Sequence, residues 1–454
     1  MNNSNLQQSE RLQELEKAPL GRLLLKYSIP SVVGMVVMQL YNIVDRIFIG
    51  QVVGSDAIAG LAITFPVANV SAALGVLIGG GAAARLSIAL GNRDEATARH
   101  IVGNSLTLTI AIGIAYVGLF YLFLDDVLRL FGATEETLPY AHDFMMYVLP
   151  GYLLTNISFS FNNIMRAAGF PKKAMYTMFI GAATNIILDP IFIYWLDWGI
   201  KGAAIATTIS MGVTSVFVMW HFIKPHGEVY FAPGTYRLNP RIVEGILTIG
   251  AAPSIVNVAS CLINILINNS LNEYGGSDAI AAAGVFVTAT SFVISIVLGI
   301  CQGMQPIVGY NYGAGHFDRL KKTFWLAAGV STIVCSIGWI GGMAFPCQIA
   351  SAFINDAELI VKTGGYLRIA MTMFCIIGVQ VVATTFFQAI GEAGKSIFLS
   401  LTRQVLFLIP LLLYLPNFFG LEGIWASFPT SDVLSTIVTM ALIIHQFRRL
   451  STAR

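Results

Sequence analysis

The chain has 454 residues, 56% of them hydrophobic and only 11% charged, and a formal net charge of +2. Its mean hydropathy is +0.73, which excludes a soluble globular domain, because such a domain needs a charged surface to stay in solution. The net charge says little by itself; where the charges fall along the chain is what informs.

Residues 1–19 carry Glu10, Glu14 and Glu16 and lack an apolar core run, so they read as a cytoplasmic N-terminal tail and not as a cleavable signal peptide. Twelve apolar stretches follow, each long enough to cross a hydrocarbon core of roughly 30 Å. Their limits are 23–50, 57–82, 101–124, 139–165, 174–195, 199–222, 243–270, 279–305, 323–346, 363–388, 394–415 and 421–446. The expected fold is an all-α integral membrane protein with twelve transmembrane helices. Counting Lys and Arg at the two ends of these spans puts most of them, among them Lys17, Arg22, Arg93, Lys173, Arg241, Lys322 and Arg448, on one side. By the positive-inside rule that side is cytoplasmic, and both termini lie there.

The chain also repeats itself. Gly54-Ser55-Asp56-Ala57-Ile58-Ala59 recurs unchanged as Gly276-Ser277-Asp278-Ala279-Ile280-Ala281, 222 residues later. Near the same offset Pro30 matches Pro253, Gly81 matches Gly303, Lys173 matches Lys395, and Gly199 with Gly202 matches Gly420 with Gly423. The expected organisation is therefore an N-lobe (20–223), a cytoplasmic linker (224–241), a C-lobe (242–447) and a cytoplasmic C-terminal tail (448–454). Two pseudo-symmetric six-helix bundles in parallel orientation can enclose a cavity and rock to give alternating access.

Ionisable groups inside spans are costly, at least about 2.5–3.5 kcal/mol at the bilayer centre, so those present are functional candidates. Asp45 precedes the turn at Gly54 by nine residues and Asp189 precedes the turn at Asp197 by eight. At 1.5 Å per residue both lie roughly 12–13 Å deep. Thr207 comes to a similar depth on the returning helix, and Asn185 shares a helix face with Asp189 at spacing i,i+4. Two carboxylates, an amide and a hydroxyl can share a proton or coordinate a small cation such as Na+; the other reading is a structural polar cluster closing the half-bundle. The second half has Asn264, Asn268 and Asn269 near the counterpart of Asp45 and instead buries Arg403 and Asp432 at comparable depth. They are expected to pair, with a second coupling site as the alternative. Pro30 lies in the first span and either allows a coupled kink or is an ordinary bend.

The five cysteines (Cys261, Cys301, Cys335, Cys347, Cys375) are odd in number and lack metal-ligand spacing. No cofactor, no metal site beyond Na+ at the acidic cluster, and no Ser/His/Asp arrangement within the spans is expected, so the chain does not read as an enzyme.

Leu40-Tyr41-Asn42-Ile43-Val44-Asp45, Asn185-Ile186-Ile187-Leu188-Asp189-Pro190 and Gly199-Ile200-Lys201-Gly202-Ala203-Ala204, with the 222-residue repeat, resemble the multidrug and toxic compound extrusion (MATE) family over essentially all twelve spans. Within it the likeness is to the MepA-like bacterial branch. The resemblance implies a V-shaped pair of bundles and a secondary transporter that exports amphiphilic, often cationic organic compounds against H+ or Na+. It implies cation coupling at Asp45, Asn185, Asp189 and Thr207, and bending at Pro30. The expected setting is the bacterial plasma membrane, as a monomer, with small organic cations and lipid as partners and no nucleic acid. A flippase of a lipid-linked precursor and an exporter of a native metabolite remain alternatives on the same fold. The flippase needs basic residues in its cavity, and the spans hold few besides Arg403.

Overall fold

The computed structural model describes residues 13–52, 55–223 and 229–452, with side chains described for all of these except 42–52, 55–60, 62 and 261. The first half contains α1 (Leu20–Val52), α2 (Ser55–Gly91), α3 (Glu95–Leu122), α4 (Leu138–Ala167), α5 (Pro171–Asp189) and α6 (Gly199–Ile223), with a short helix at Leu124–Leu130. A six-residue π-helical turn, Pro190–Trp195, extends α5.

The second half opens with an unbroken run of 74 helical residues, Pro240–Gly313. A straight helix of that length would measure roughly 110 Å, more than three times a hydrocarbon core. The run instead breaks at Gly276 (φ 62°, ψ −155°), giving α7 (240–275) and α8 (277–313). Next come α9 (Phe317–Ala344) and α10, which is made of Ala357–Met371 and Ile377–Ala389 joined through a 3-10 turn. α11 runs from Ala393 to Tyr414 through a π-helical segment, Thr402–Leu408. α12 (421–452) follows a second glycine break at Gly420 (φ 56°).

Ten helices among the described residues are long and apolar enough to cross a membrane, and the two parts of α10, bent by 45°, make an eleventh. Dividing the 74-residue run at Gly276 gives the twelve spans expected from sequence. Several run longer than expected: α2 continues past residue 82 to Gly91, and α12 past residue 446 to Thr452. The extra turns of α2 are apolar and buried, with Leu86, Ala89 and Leu90 in the core.

The repeat is visible in the backbone. Gly169 and Gly391 have φ of 91° and 80°, Gly199 and Gly420 have 54° and 56°, and Arg93 (59°) stands where Gly315 (74°) stands one repeat later. A Cβ on Gly202 would lie 2.6 Å from the Phe192 carbonyl oxygen, and one on Gly423 would lie 2.5 Å from that of Leu415. The two glycines thus serve the same close return after each fifth helix.

Arg22, Arg93, Lys172, Arg241, Lys322 and Arg448 mark one end of the bundle, here called the basic end. The halves meet there through small residues. Cβ atoms on Gly81 and Gly250 would strike the Ile246 and Leu77 carbonyls, and those on Gly91 and Gly313 would strike the carbonyls of Tyr310 and Ile88. The last two contacts are repeats of one another, since 88 and 310, like 91 and 313, differ by 222. Ser87 meets its own repeat partner, Gly309. A local two-fold axis therefore passes between α2 and α8.

Parts of the N-terminal tail and of the linker are packed against the bundle. Residues 13–17 are helical and Leu15 is buried in the core, so this part of the expected tail is packed. Glu14 pairs with Lys26. In the linker, Val229, Ala232 and Thr235 are buried, and Phe231 packs against Phe161 and Phe222. Residues 1–12, 224–228 and 453–454 lie outside the described residues.

Candidate functional site

α5 carries a polar pair on a mostly apolar helix. Asn185 and Asp189 are one turn apart and almost wholly removed from solvent, at 0% and 1% exposure. Directly after Asp189 the helix meets Pro190, which has no N–H to return to the preceding turn, and the chain widens into the π-helical turn Pro190–Trp195. With its amide turned to suit its neighbours, Asn185 donates to Asp189 Oδ2 at 2.6 Å. Its carbonyl oxygen then accepts from the Thr207 hydroxyl of α6 at 3.3 Å. The fold thus joins three of the four residues singled out from sequence into one hydrogen-bonded group bridging α5 and α6.

The fourth, Asp45, belongs to α1, and its side chain lies outside the described residues. α1 packs along α5 and also touches the π-helical turn; Gly34 of α1 meets Met178 of α5. Pro30 is buried within α1, which runs on as one helix through it. A buried carboxylate with an amide and a hydroxyl at hand presents oxygen ligands suited to a proton or a hard cation. Among the described residues no cluster of three or more His, Cys, Asp or Glu could hold a metal ion, so any cation here would rely on neutral oxygens as well.

In the second half Arg403 Nε donates to Asp432 Oδ1 at 2.7 Å, joining α11 to α12. Ser431 closes the same corner by donating to the Arg403 carbonyl at 2.7 Å. Asp432 is buried, while the Arg403 side chain keeps 30% exposure. Arg403, like Asp189, sits beside irregular helix: it lies inside the π-helical segment that precedes Pro410.

A further buried cation, Arg166, stands near the basic end and is not among the residues singled out from the sequence. Arg166 is only 4% exposed. It donates to Asn162 Oδ1 at 2.5 Å and Asn163 Oδ1 at 2.6 Å, and Asn162 in turn donates to the Ala174 carbonyl and to Thr177. The signal was present in the i,i+3 and i,i+4 spacing of Asn162-Asn163 to Arg166. It went unread because a charge two residues from a turn looks solvated.

This geometry, twelve apolar helices in two repeated sets with buried ionisable groups inside each, defines a multi-pass membrane protein of the carrier type. The MatE family profile matches residues 30–191 and again 253–413, in register with the repeat. The chain belongs to the MatE family. It is similar to the multidrug export protein MepA of Staphylococcus aureus strain MSSA476, with 26% identity over 436 residues and 96% of each chain covered. The MepA of Staphylococcus saprophyticus matches at 24% over 434 residues, again with 96% of each chain covered. Among solved structures, a MATE protein in complex with MaL6 superposes with a TM-score of 0.91 at 26% identity, covering 97% of this chain and 99% of that one. An outward-facing multidrug resistance MATE family transporter of the MOP superfamily gives 0.91 at 25%, with 97% and 98% covered. A MOP superfamily transporter from Pyrococcus furiosus, described as having a binding pocket of reverse polarity that suggests a different function, gives 0.91 at 25%, with 96% and 98% covered.

Proposed function

We propose that this protein is a secondary active multidrug exporter that moves amphiphilic, often cationic organic compounds outward in exchange for H+ or Na+. The observation that carries the reading is the buried Asn185–Asp189–Thr207 group, a carboxylate held among neutral donors inside an apolar half-bundle. Such a group is expensive in a membrane and is kept where it binds something. The sequence pattern assigns Asp45 of α1 to the same coupling role, and bending at Pro30 transmits the state of the site to the rest of the carrier. The family membership and the likeness to multidrug export proteins support the substrate class.

The two halves act as lobes, N-lobe and C-lobe, with the Arg403–Asp432 pair bracing the second. The Lys/Arg bias puts the basic end and both termini in the cytoplasm of a bacterium, in its plasma membrane. The glycine-lined seam then closes the carrier towards the cytoplasm. The protein works as a monomer. Binding of the cation from outside neutralises the carboxylates and rearranges α1, substrate leaves outward, and release of the cation inward resets the carrier. A 100 mV potential supplies about 2.3 kcal/mol per charge moved, so one-for-one exchange of a drug cation for a proton would forgo that contribution.

The test is efflux of a fluorescent organic cation from proteoliposomes under separately imposed proton and sodium gradients, comparing wild type with Asp189→Asn. Uphill movement driven by one gradient and lost in the variant supports antiport and names the ion. If neither gradient moves any tested cation, the multidrug reading fails, and export of a native metabolite or a lipid-linked precursor takes its place.

A further inference from the structure

The segments that lead into α1 and α7 occupy equivalent places in the repeat, and each is held by the third helix of the opposite half. Ahead of α1, the carbonyls of Leu15 and Ala18 accept from Arg319 of α9 at 3.3 and 2.8 Å. Arg319 is steadied by Asn311 of α8, to whose side-chain oxygen its Nε donates at 3.3 Å. Ahead of α7, the carbonyls of Thr235 and Arg237 accept from the Asn104 amide of α3 at 2.8 and 3.2 Å. The Asn239 N–H donates back to Asn104 Oδ1 at 2.7 Å, and Thr107 donates to the Tyr236 carbonyl at 2.8 Å. Leu15 and Arg237 differ by 222 residues, the repeat offset.

We propose that these two segments are reciprocal straps that hold the basic end shut, with Arg319 and Asn104 as the residues that position them. The inference rests on the alternating-access reading given above.

Five features favour straps over ordinary loop anchoring. The bonds join backbone groups, five carbonyls and the Asn239 N–H, to side chains, and can be released without unfolding either half. Both clamps bridge the halves across the seam that must part when the basic end opens. The first strap is also tied back to its own half, by Glu14 to Lys26 and by Glu16 to Arg93 at 3.9 Å, so pulling on it pulls α1 and α2 against α9. The second depends on a bare helix face: a Cβ on Gly103 would lie 2.5 Å from the Thr235 carbonyl oxygen. Asn104 and Asn311 are themselves 0% exposed, so leaving either clamp empty strands polar groups that then need water. Once a strap lets go, the cost of staying open falls, and the balance between the two ends of the carrier moves.

The experiment places a reporter thiol in the seam, Ser87→Cys, a site 1% exposed while the seam is closed. Its labelling by a water-soluble maleimide is followed in wild-type, Arg319→Gln, Asn104→Ala and Arg319→Lys backgrounds. Labelling of the parent without Ser87→Cys is subtracted, and thermal midpoints and gradient-driven efflux are recorded alongside. Loss of one charge-assisted clamp is expected to raise labelling about tenfold, with partial return in Arg319→Lys, which can still reach one carbonyl. If labelling stays at the wild-type rate in both clamp variants, whether or not the thermal midpoint falls, the clamps are structural and the strap proposal is overturned. If the unmodified protein moves no substrate under either gradient, the transport reading fails instead, and the labelling result still stands as a statement about the seam.

Discussion

Asn185 donates to Asp189 across one turn of α5 at 2.6 Å, so the buried carboxylate is oriented by a neutral side chain that itself leans on Thr207 of α6. Removing the carboxylate and removing its support should therefore act differently. In Asp189→Asn, uphill efflux is expected to vanish while exchange of labelled for unlabelled substrate down its own gradient persists, because the cavity walls are intact. Loss of both activities together would mean that Asp189 serves folding or substrate binding and not coupling.

Asn185→Ala leaves the carboxylate present but unsupported. A hydrogen bond to a charged group contributes about 1.5–3 kcal/mol, which corresponds to roughly a ten- to hundredfold fall in coupled efflux. Asn185→Gln, whose amide sits one methylene further out, should recover only part of it. The check is the initial rate of gradient-driven efflux at fixed protein content in the liposomes. Equal rates in all three proteins would remove Asn185 from the site.

The Arg403–Asp432 pair makes a prediction about stability. Removing one member of a fully buried pair costs about 3–5 kcal/mol. Arg403 keeps 30% exposure, so Asp432→Ala should cost less, about 2–3 kcal/mol. Replacing both residues by Leu should return the thermal midpoint in detergent most of the way to wild type, since no charge is left stranded. A double variant that melts as low as the single one, or a single variant that melts like wild type, would show that the pair does not brace α11 against α12.

Much of this was legible in the chain. Twelve apolar runs and the unchanged hexapeptide at Gly54 and Gly276 are local patterns, and they carried both the span count and the repeat. The i,i+4 spacing of Asn185 and Asp189 similarly announces a shared helix face. Other features depend on what lies across the fold. The spacing of Asn162 and Asn163 to Arg166 marks a local polar group, but the burial of Arg166 is decided by how α4 packs against α5. Residues 13–17 and 229–239 read only as parts of a tail and a linker, since their partners, Arg319 and Asn104, are far away in the chain. The π-helical segments at Pro190–Trp195 and Thr402–Leu408 were signalled by Pro190 and Pro410. A proline says only that a helix must deviate, not how.

The seam between the halves gives the last prediction. Gly91 faces the Tyr310 carbonyl and Gly313 faces that of Ile88, at distances that leave no room for a Cβ. These are backbone atoms of rigid helices, so a side chain cannot be accommodated by a rotamer change. Gly91→Ala or Gly313→Ala must therefore push α2 and α8 apart at the basic end, or leave the closed state less populated. Because the two contacts are repeats of one another, the substitutions should have similar effects, and the double variant should exceed either. The expected outcome is slower outward transport with an unchanged or higher affinity for substrate presented from the basic side, measured by equilibrium binding to inside-out and right-side-out vesicles. Gly118→Ala is the control, since a Cβ there meets nothing within 4 Å. If Gly91→Ala slows transport no more than Gly118→Ala, the halves do not close against each other through this seam during the cycle.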